Sequence, residues 1–296
     1  MNNNINIFIK LKENIDESDY KDINKLKEIC FDYDKINLKL ETDYKLNNTN
    51  TYSNNLKNIN EFMFYHENKL IAYAGICDFG GDAIEVNGMV HPDYRRKGIF
   101  TRIFSLIKDE FSKREAKEML LLSDNNSVGG IEFIKKASNS YDHSEYDMNL
   151  DMNVIHEINF NELIFRKALK ADAENMAKEN FEFFGEYDLE GIADEKGELN
   201  SSSCTYLMEL NNAVIGKTRL EINENIGGIY GLEVLPDYRG QGFGRKLLLL
   251  SINKLKEKGV KAITLQVETN NKNALNLYTS CGFKENYTMS YYSLKK

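Results

Sequence analysis

Apolar and polar positions along this chain switch repeatedly between a period near two and a period near 3.6, the periods of strands and of amphipathic helices. Residues 5–11 read as a strand, followed by a helix over about 18–31 with Asp16 or Ser18 as its N-cap. Residues 43–60 are Asn-rich and read as loop and short helix. Residues 62–65 and 70–77 form a hairpin around Glu67-Asn68, and 83–90 is a further strand. A helix is expected over 100–117, with Ile103, Phe104, Ile107 and Phe111 on its buried face. Then come a strand at 119–122, a short helix at 127–136 and a closing strand at 144–150. After a polar stretch the order returns: strand 163–167, helix 171–183, a polar loop 185–203, hairpin strands 204–210 and 213–222, and strand 229–234. A long helix, strand 262–267, helix 273–280 and strand 287–294 complete it. This order predicts an α/β chain with a mixed sheet and helices on its faces, once per half.

The recurrence is visible residue by residue. His91-Pro92-Asp93-Tyr94-Arg95-Arg96-Lys97-Gly98 matches Leu235-Pro236-Asp237-Tyr238-Arg239-Gly240-Gln241-Gly242, 144 positions later. The offset holds upstream, where 68–72 pairs with 212–216 and 86–90 with 230–234. So long a period means a duplicated domain rather than a solenoid. The expected division is an N-terminal domain over 1–150, a linker over 151–162 and a C-terminal domain over 163–296.

The most informative stretch is IYGLEVLPDYRGQGFGRKLLLLSINKLKEK, from Ile229 to Lys258. Pro236 and Asp237 end the strand, and Arg239-Gly240-Gln241-Gly242-Phe243-Gly244 is a glycine-rich turn before an amphipathic helix that stops at Gly259. Glycines let backbone approach a ligand closely. The unpaired N–H groups of a helix's first turn, backed by the helix dipole, make an anion site that suits a diphosphate. Arg239 and Arg245 add positive charge. No Gly-Lys-Ser/Thr follows, which excludes a Walker loop, and the acidic residue of a dinucleotide fingerprint is missing.

Arg-x-x-Gly-x-Gly after a strand ending in Val-x-Pro resembles the coenzyme A loop of the GNAT superfamily of N-acetyltransferases. Downstream, the run Asn271 to Phe283, NKNALNLYTSCGF, is similar to the family's Asn-x-x-Ala-x-x-x-Tyr-x-x-x-Gly-Phe segment. The resemblance covers nearly the whole chain as two tandem GNAT-like domains. It implies acetyl-CoA as cosubstrate, held by Arg239, Gly240, Gln241, Gly242, Phe243, Gly244 and Arg245, with Asn271 or Asn273 on the pantetheine or phosphates. It implies that Tyr278 aims its hydroxyl at the coenzyme sulfur, and that Leu232, Glu233 and Val234 lie on a splayed strand whose free N–H groups meet the thioester.

Acetyl transfer to an amine needs a neutral amine, a donor for the tetrahedral oxyanion and a proton for the leaving thiolate. Tyr278 is the candidate acid through the resemblance; on spacing alone it reads first as a packed aromatic one turn from Ala274. The positions where the family often carries a basic Glu hold Gly228 and Gln266 here. Glu233 is taken as the catalytic carboxylate, with Glu221 and Glu268 as other carboxylates within reach and capture of free amine as an alternative. In the first half Phe100 replaces the last glycine of the turn. Allowing one inserted residue, Phe133 falls at the Tyr278 position, and Met89 stands for Glu233. The first half is therefore expected not to catalyse by this mechanism: the bulk of Phe100 could restrict a diphosphate's approach, while Arg95, Arg96 and Lys97 could still hold phosphate, so this half either binds coenzyme or buries one side of the second half and shapes the substrate pocket.

Composition narrows the rest. A formal net charge of −8 argues against a nucleic-acid surface. No apolar run approaches a membrane span, the N-terminus lacks a signal-peptide pattern, and four scattered cysteines without metal or redox spacing fit a reduced, cytoplasmic protein. No metal site is expected. The leading expectation is an acyltransferase moving acetyl from acetyl-CoA to a primary amine of a small molecule or peptide; acetylation in sugar-thiol biosynthesis is a related case. The alternatives are a non-catalytic acyl-CoA-binding sensor and a purely structural pairing module.

Overall fold

A computed structural model describes residues 6–47, 58–79, 81–138, 140–158, 160–172 and 203–296. Most of the helix expected at 171–183 and the loop expected at 185–203 lie outside the described residues. The strands are β1 (Ile7–Lys12), β2 (Glu61–His66), β3 (Lys69–Cys77), β4 (Ala83–Val90), β5 (Glu118–Asp124), β6 (Ser140–Leu150), β7 (Leu163–Lys167), β8 (Ser203–Leu210), β9 (Ala213–Asn223), β10 (Ile226–Val234), β11 (Ala262–Glu268) and β12 (Phe283–Lys295). The helices are α1 (Glu17–Asp34), α2 (Thr42–Asn47), α3 (Ile99–Lys113), α4 (Val128–Ala137), α5 (Phe243–Glu257) and α6 (Lys272–Ser280).

The chain forms two compact units, and the first is not continuous in sequence. One comprises Met1–Ser144 with Tyr287–Lys296; the other is Glu145–Asn286. In the first, the strand order is β1-β2-β3-β4-β5-β12; in the second it is β6-β11-β10-β9-β8-β7. The two closing strands have changed places. Met289–Lys295 of β12 pairs antiparallel with β5, and Glu145–Asn149 of β6 pairs antiparallel with β11. The closing strand expected at 144–150 therefore does not close the first unit, and the one expected at 287–294 does not close the second. Residues expected as a linker pack within the second unit: Met152, Ile158 and Phe160 lie against its core, and His156 Nε2 is 2.9 Å from the Cys281 carbonyl.

Local chemistry explains the elements. Asp16 caps α1 through the Ser18 and Asp19 amides, and Asp19 returns the bond, a capping box. The β2–β3 turn puts Glu67 and Asn68 at positive φ. Helix α3 ends at Lys113, four residues before the expected end, because Ala116 and Lys117 already lead into β5. In the first unit one sheet face buries Ile84, Val86, Ile103, Phe104 and Ile107 under α3; the other buries Met63, Tyr73 and Met89 against Ile23, Leu26 and Cys30 of α1. In the second, Ile229, Leu248, Ile252, Leu255, Ile263 and Phe283 form the core under α5.

Candidate active site

Strand β10 reaches the glycine turn by leaving its neighbour. It pairs in parallel with β11 only from Ile226 to Ile229. Beyond that a wedge opens between them. On the other side, β10 stays paired with β9 but shifts register between Tyr230 and Glu233, where three steps on β10 match two on β9. Gly231, at φ +52°, carries this bulge. The Leu235 amide donates to Ile215 at 2.9 Å. By strand alternation the Glu233 amide also faces β9, while those of Leu232 and Val234 face the wedge. The three amides expected to be free thus reduce to two.

Past Val234 the chain makes a single 3-10 turn, Pro236–Tyr238. Arg239 Nε donates to the Val234 carbonyl at 2.9 Å and Gln241 Nε2 to the Asp237 carbonyl at 2.9 Å. Both side chains buckle the turn shut. Gly240 and Gly242 stand at φ +74° and +84°, backbone that L side chains rarely adopt. The first bond of α5 runs from the Lys246 amide to the Gly242 carbonyl, so among the described residues the six amides from Gly240 to Arg245 have no partner. Phe243 is buried against Val234 and Leu247, so it offers the site its amide rather than its ring. The Arg245 guanidinium holds Ser280 Oγ at 2.7 Å and thus ties α5 to the end of α6.

Helix α6 is capped by Asn271, whose side chain accepts the Ala274 amide at 3.1 Å. That commits the Asn271 carbonyl to the helix, leaving its NH₂ group and the exposed Asn273 for a ligand. Tyr278 is 9% exposed, in the cluster that Leu232 packs against, edge-on to Phe283. Its hydroxyl has no hydrogen-bond partner among the described residues, and burial raises its pKa. Glu233 is half-buried, with Oε2 buried and unpaired. Burial raises its pKa, against the opposing pull of Lys217 and Arg239. No group of three or more metal-binding side chains exists among the described residues.

The first unit repeats this architecture. Strand β4 pairs with β5 only from Ala83 to Val86. Arg95 Nε holds the Val90 carbonyl at 2.9 Å, Lys97 Nζ the Asp93 carbonyl at 2.8 Å, and the six amides from Arg96 to Thr101 are unpaired ahead of the Arg102 amide–Gly98 carbonyl bond. A cavity of about 520 Å³ opens between β4, β5, α3 and α4. Its only signals among the residues are the surviving glycine, Gly98, and the basic run Arg95-Arg96-Lys97.

One correspondence is corrected. Ser127 caps α4 through the Gly130 amide as Asn271 caps α6 through Ala274, so the offset of 144 continues through this helix. The counterpart of Tyr278 is Ile134, buried in the first core, and no insertion is needed. Phe133 instead matches Leu277. It packs edge-on to Phe100, as Leu277 lies nearest to Gly244.

The fold and turns define acyl-CoA-dependent acyltransferase architecture. The family model "Acetyltransferase (GNAT) family" matches residues 23–137 and again 170–283. The chain belongs to the GNAT acetyltransferase family, with two tandem domains of that fold. It is 35% identical over 79 residues to the mycothiol acetyltransferase of Thermomonospora curvata, covering 26% of this chain and 27% of that protein. It is 39% identical over 75 residues to the [ribosomal protein bS18]-alanine N-acetyltransferase of Haemophilus influenzae, covering 25% of this chain and 51% of that protein. These matches span between a quarter and a half of the relatives' length. A GCN5-related N-acetyltransferase from Sphaerobacter thermophilus shares the fold at a TM-score of 0.71 and 14% identity, over 98% of this chain and 95% of the other.

Proposed function

We propose that the second unit is an N-acetyltransferase acting on a primary amine of a small molecule or peptide. The observation that carries this reading is the run of six unpaired amides from Gly240 to Arg245 at the mouth of α5, beside a wedge with two more at Leu232 and Val234. Their fit to a diphosphate and a pantetheine arm is good, because both offer acceptors to donors that are otherwise unmet. Bound acetyl-CoA supplies the activated acetyl group.

The chain's own residues divide the remaining work. The amides of Gly240 to Arg245 hold the diphosphate, with Asn273 and the Asn271 NH₂ at the neighbouring helix. The wedge amide of Leu232 or Val234 offers the oxyanion donor. Tyr278, whose raised pKa keeps its proton in place, is the acid for the thiolate. Glu233, with an uncommitted buried oxygen, takes the proton of the incoming amine. The named relatives act on a ribosomal-protein alanine or in mycothiol acetylation, which supports an amine acceptor without choosing one.

Release of free thiol from acetyl-CoA, followed across a panel of primary amines and peptides with free N-termini, tests this reading. Turnover with any acceptor supports it. Coenzyme binding without turnover across the panel would leave a sensor instead.

A further inference from the structure

Arg245 is badly placed for the helix that carries it. It is the third residue of α5, where the positive end of the helix dipole disfavours a cation. Its guanidinium goes instead to the opposite pole of another helix. Nη1 donates to Ser280 Oγ at 2.7 Å and lies 3.3 Å from the Ser280 carbonyl and 3.2 Å from Cys281 Sγ. Ser280 is the last residue of α6 and Cys281 its C-cap. The cation thus sits where the unpaired carbonyls and negative pole of α6 favour one.

The contact is relayed inward. Ser280 Oγ donates its own hydrogen to the Leu277 carbonyl at 2.7 Å, on the peptide group that Leu277 shares with Tyr278. One residue before Arg245, Gly244 brings α5 against the same turn: a Cβ there would meet Leu277 Cδ2 at 3.6 Å. Adjacent residues of α5 therefore touch α6 on both sides of Tyr278. That residue needs a hold from outside. Its ring packs edge-on to Phe283, but its hydroxyl has no hydrogen-bond partner among the described residues, so the place of α6 decides the place of the hydroxyl. The first unit supplies a contrast. Thr101, Lys136 and Ala137 stand where the second unit has Arg245, Ser280 and Cys281. Neither the guanidinium nor the two side chains that accept from it recur in the unit that carries Ile134 in place of Tyr278.

We propose that Arg245 is a positioning residue for acetyl transfer: its side chain fixes α6 against the phosphate-holding turn of α5, sets the Tyr278 hydroxyl relative to that turn, and does not itself bind the coenzyme's phosphates. This rests on the acetyltransferase reading of the second unit and adds a demand to it. The amides of Gly240 to Arg245 fix the diphosphate, whereas the phenol that protonates the sulfur is fixed by a different helix. A proton moves only within hydrogen-bond reach, and a displacement of about 1 Å can lower a rate about a hundredfold. Loosening α6 therefore acts on turnover and leaves the diphosphate where it was.

Arg245→Ala tests the proposal in the full chain. The side chain is exposed and alanine suits a helix, so far-UV circular dichroism should not change. The kcat should fall about 10- to 100-fold while the Kd for acetyl-CoA, read by calorimetry, stays constant. All three contacts converge on one nitrogen, so Arg245→Lys, whose Nζ carries three donors, should recover most of the rate. In a Tyr278→Phe background Arg245→Ala should cost nothing further, because the group it places is gone. An equal fall in both backgrounds marks a general structural role and overturns the proposal. A salt-dependent loss of coenzyme affinity of about tenfold or more makes the guanidinium a phosphate ligand and also overturns it. A further measurement needs no turnover. With 3-fluorotyrosine incorporated, the Tyr278 fluorine resonance, identified by its absence in Tyr278→Phe, should move in Arg245→Ala and return in Arg245→Lys. An unmoved resonance overturns the proposal whether or not the chain acetylates anything. A resonance that moves in a chain with no turnover on any amine supports the clasp and removes the enzyme reading alone.

Discussion

The two glycine turns share a backbone and differ in what surrounds it. Arg95 and Arg239 make the same bond to the last carbonyl of their strands, Lys97 and Gln241 the same bond across the turn, and each turn leaves six amides open. Around the wedge, the three groups proposed to act on a thioester or amine in one unit are matched in the other by Ile134, Met89 and the Gly88 amide, which Asn87 Oδ1 caps. Holding an anion therefore depends on backbone geometry that duplication preserved. Chemistry depends on a few side chains and one bulge, and these diverged independently of the fold.

The largest break in that comparison is Gly242→Val. The left-handed backbone at φ +84° disfavours a β-branched residue, so coenzyme binding at the second turn should be lost in calorimetry and turnover with it. Gly98→Val should spare turnover. Next is Tyr278→Phe, which should lower turnover about 10- to 1000-fold with coenzyme affinity unchanged. Since the hydroxyl has no partner among the described residues, the melting temperature should not move, which separates chemistry from packing. An unchanged rate removes Tyr278 from the mechanism.

Glu233→Gln should lower the rate about tenfold near neutral pH and erase the acid limb of the pH–rate profile. That limb should lie above the ordinary carboxylate range, because burial raises the Glu233 pKa. A carboxyl whose pKa is higher folded than unfolded favours the folded state while protonated, and that contribution is lost as pH rises through the folded value. Glu233→Gln should therefore raise the melting temperature at about pH 8 and confer little gain near pH 4. The smallest effect tests the packing of Phe100 against Gly88, where an added Cβ would lie 2.7 Å from the ring. Gly88→Leu should destabilise by about 1–3 kcal/mol in urea unfolding. Phe100→Gly in the same chain should recover part of it, since the new Cβ also meets the Tyr73 carbonyl at 2.6 Å.

Much of this was legible in the residues. The strand at 83–90, the hairpins, the capped first helix and both turns follow from period, punctuation and caps, because each is decided within a few neighbours. The offset of 144 was also readable, and it continues through α4; matching helix caps rather than an aromatic to an aromatic would have paired Ile134 with Tyr278. The exchange of β6 and β12 was not readable, since both strands have similar alternation and nothing local says which edge each will join. The cavity was hidden for a related reason. Phe100 looks obstructive until Gly88, twelve residues earlier, is seen beneath it.

The placement of β12 sets an order of manufacture. Until about residue 295 has been translated, the amino-terminal sheet ends at a bare β5 edge, a row of unmet donors and acceptors open to any passing strand. The first unit thus begins before the second and is completed only after all of the second has been made.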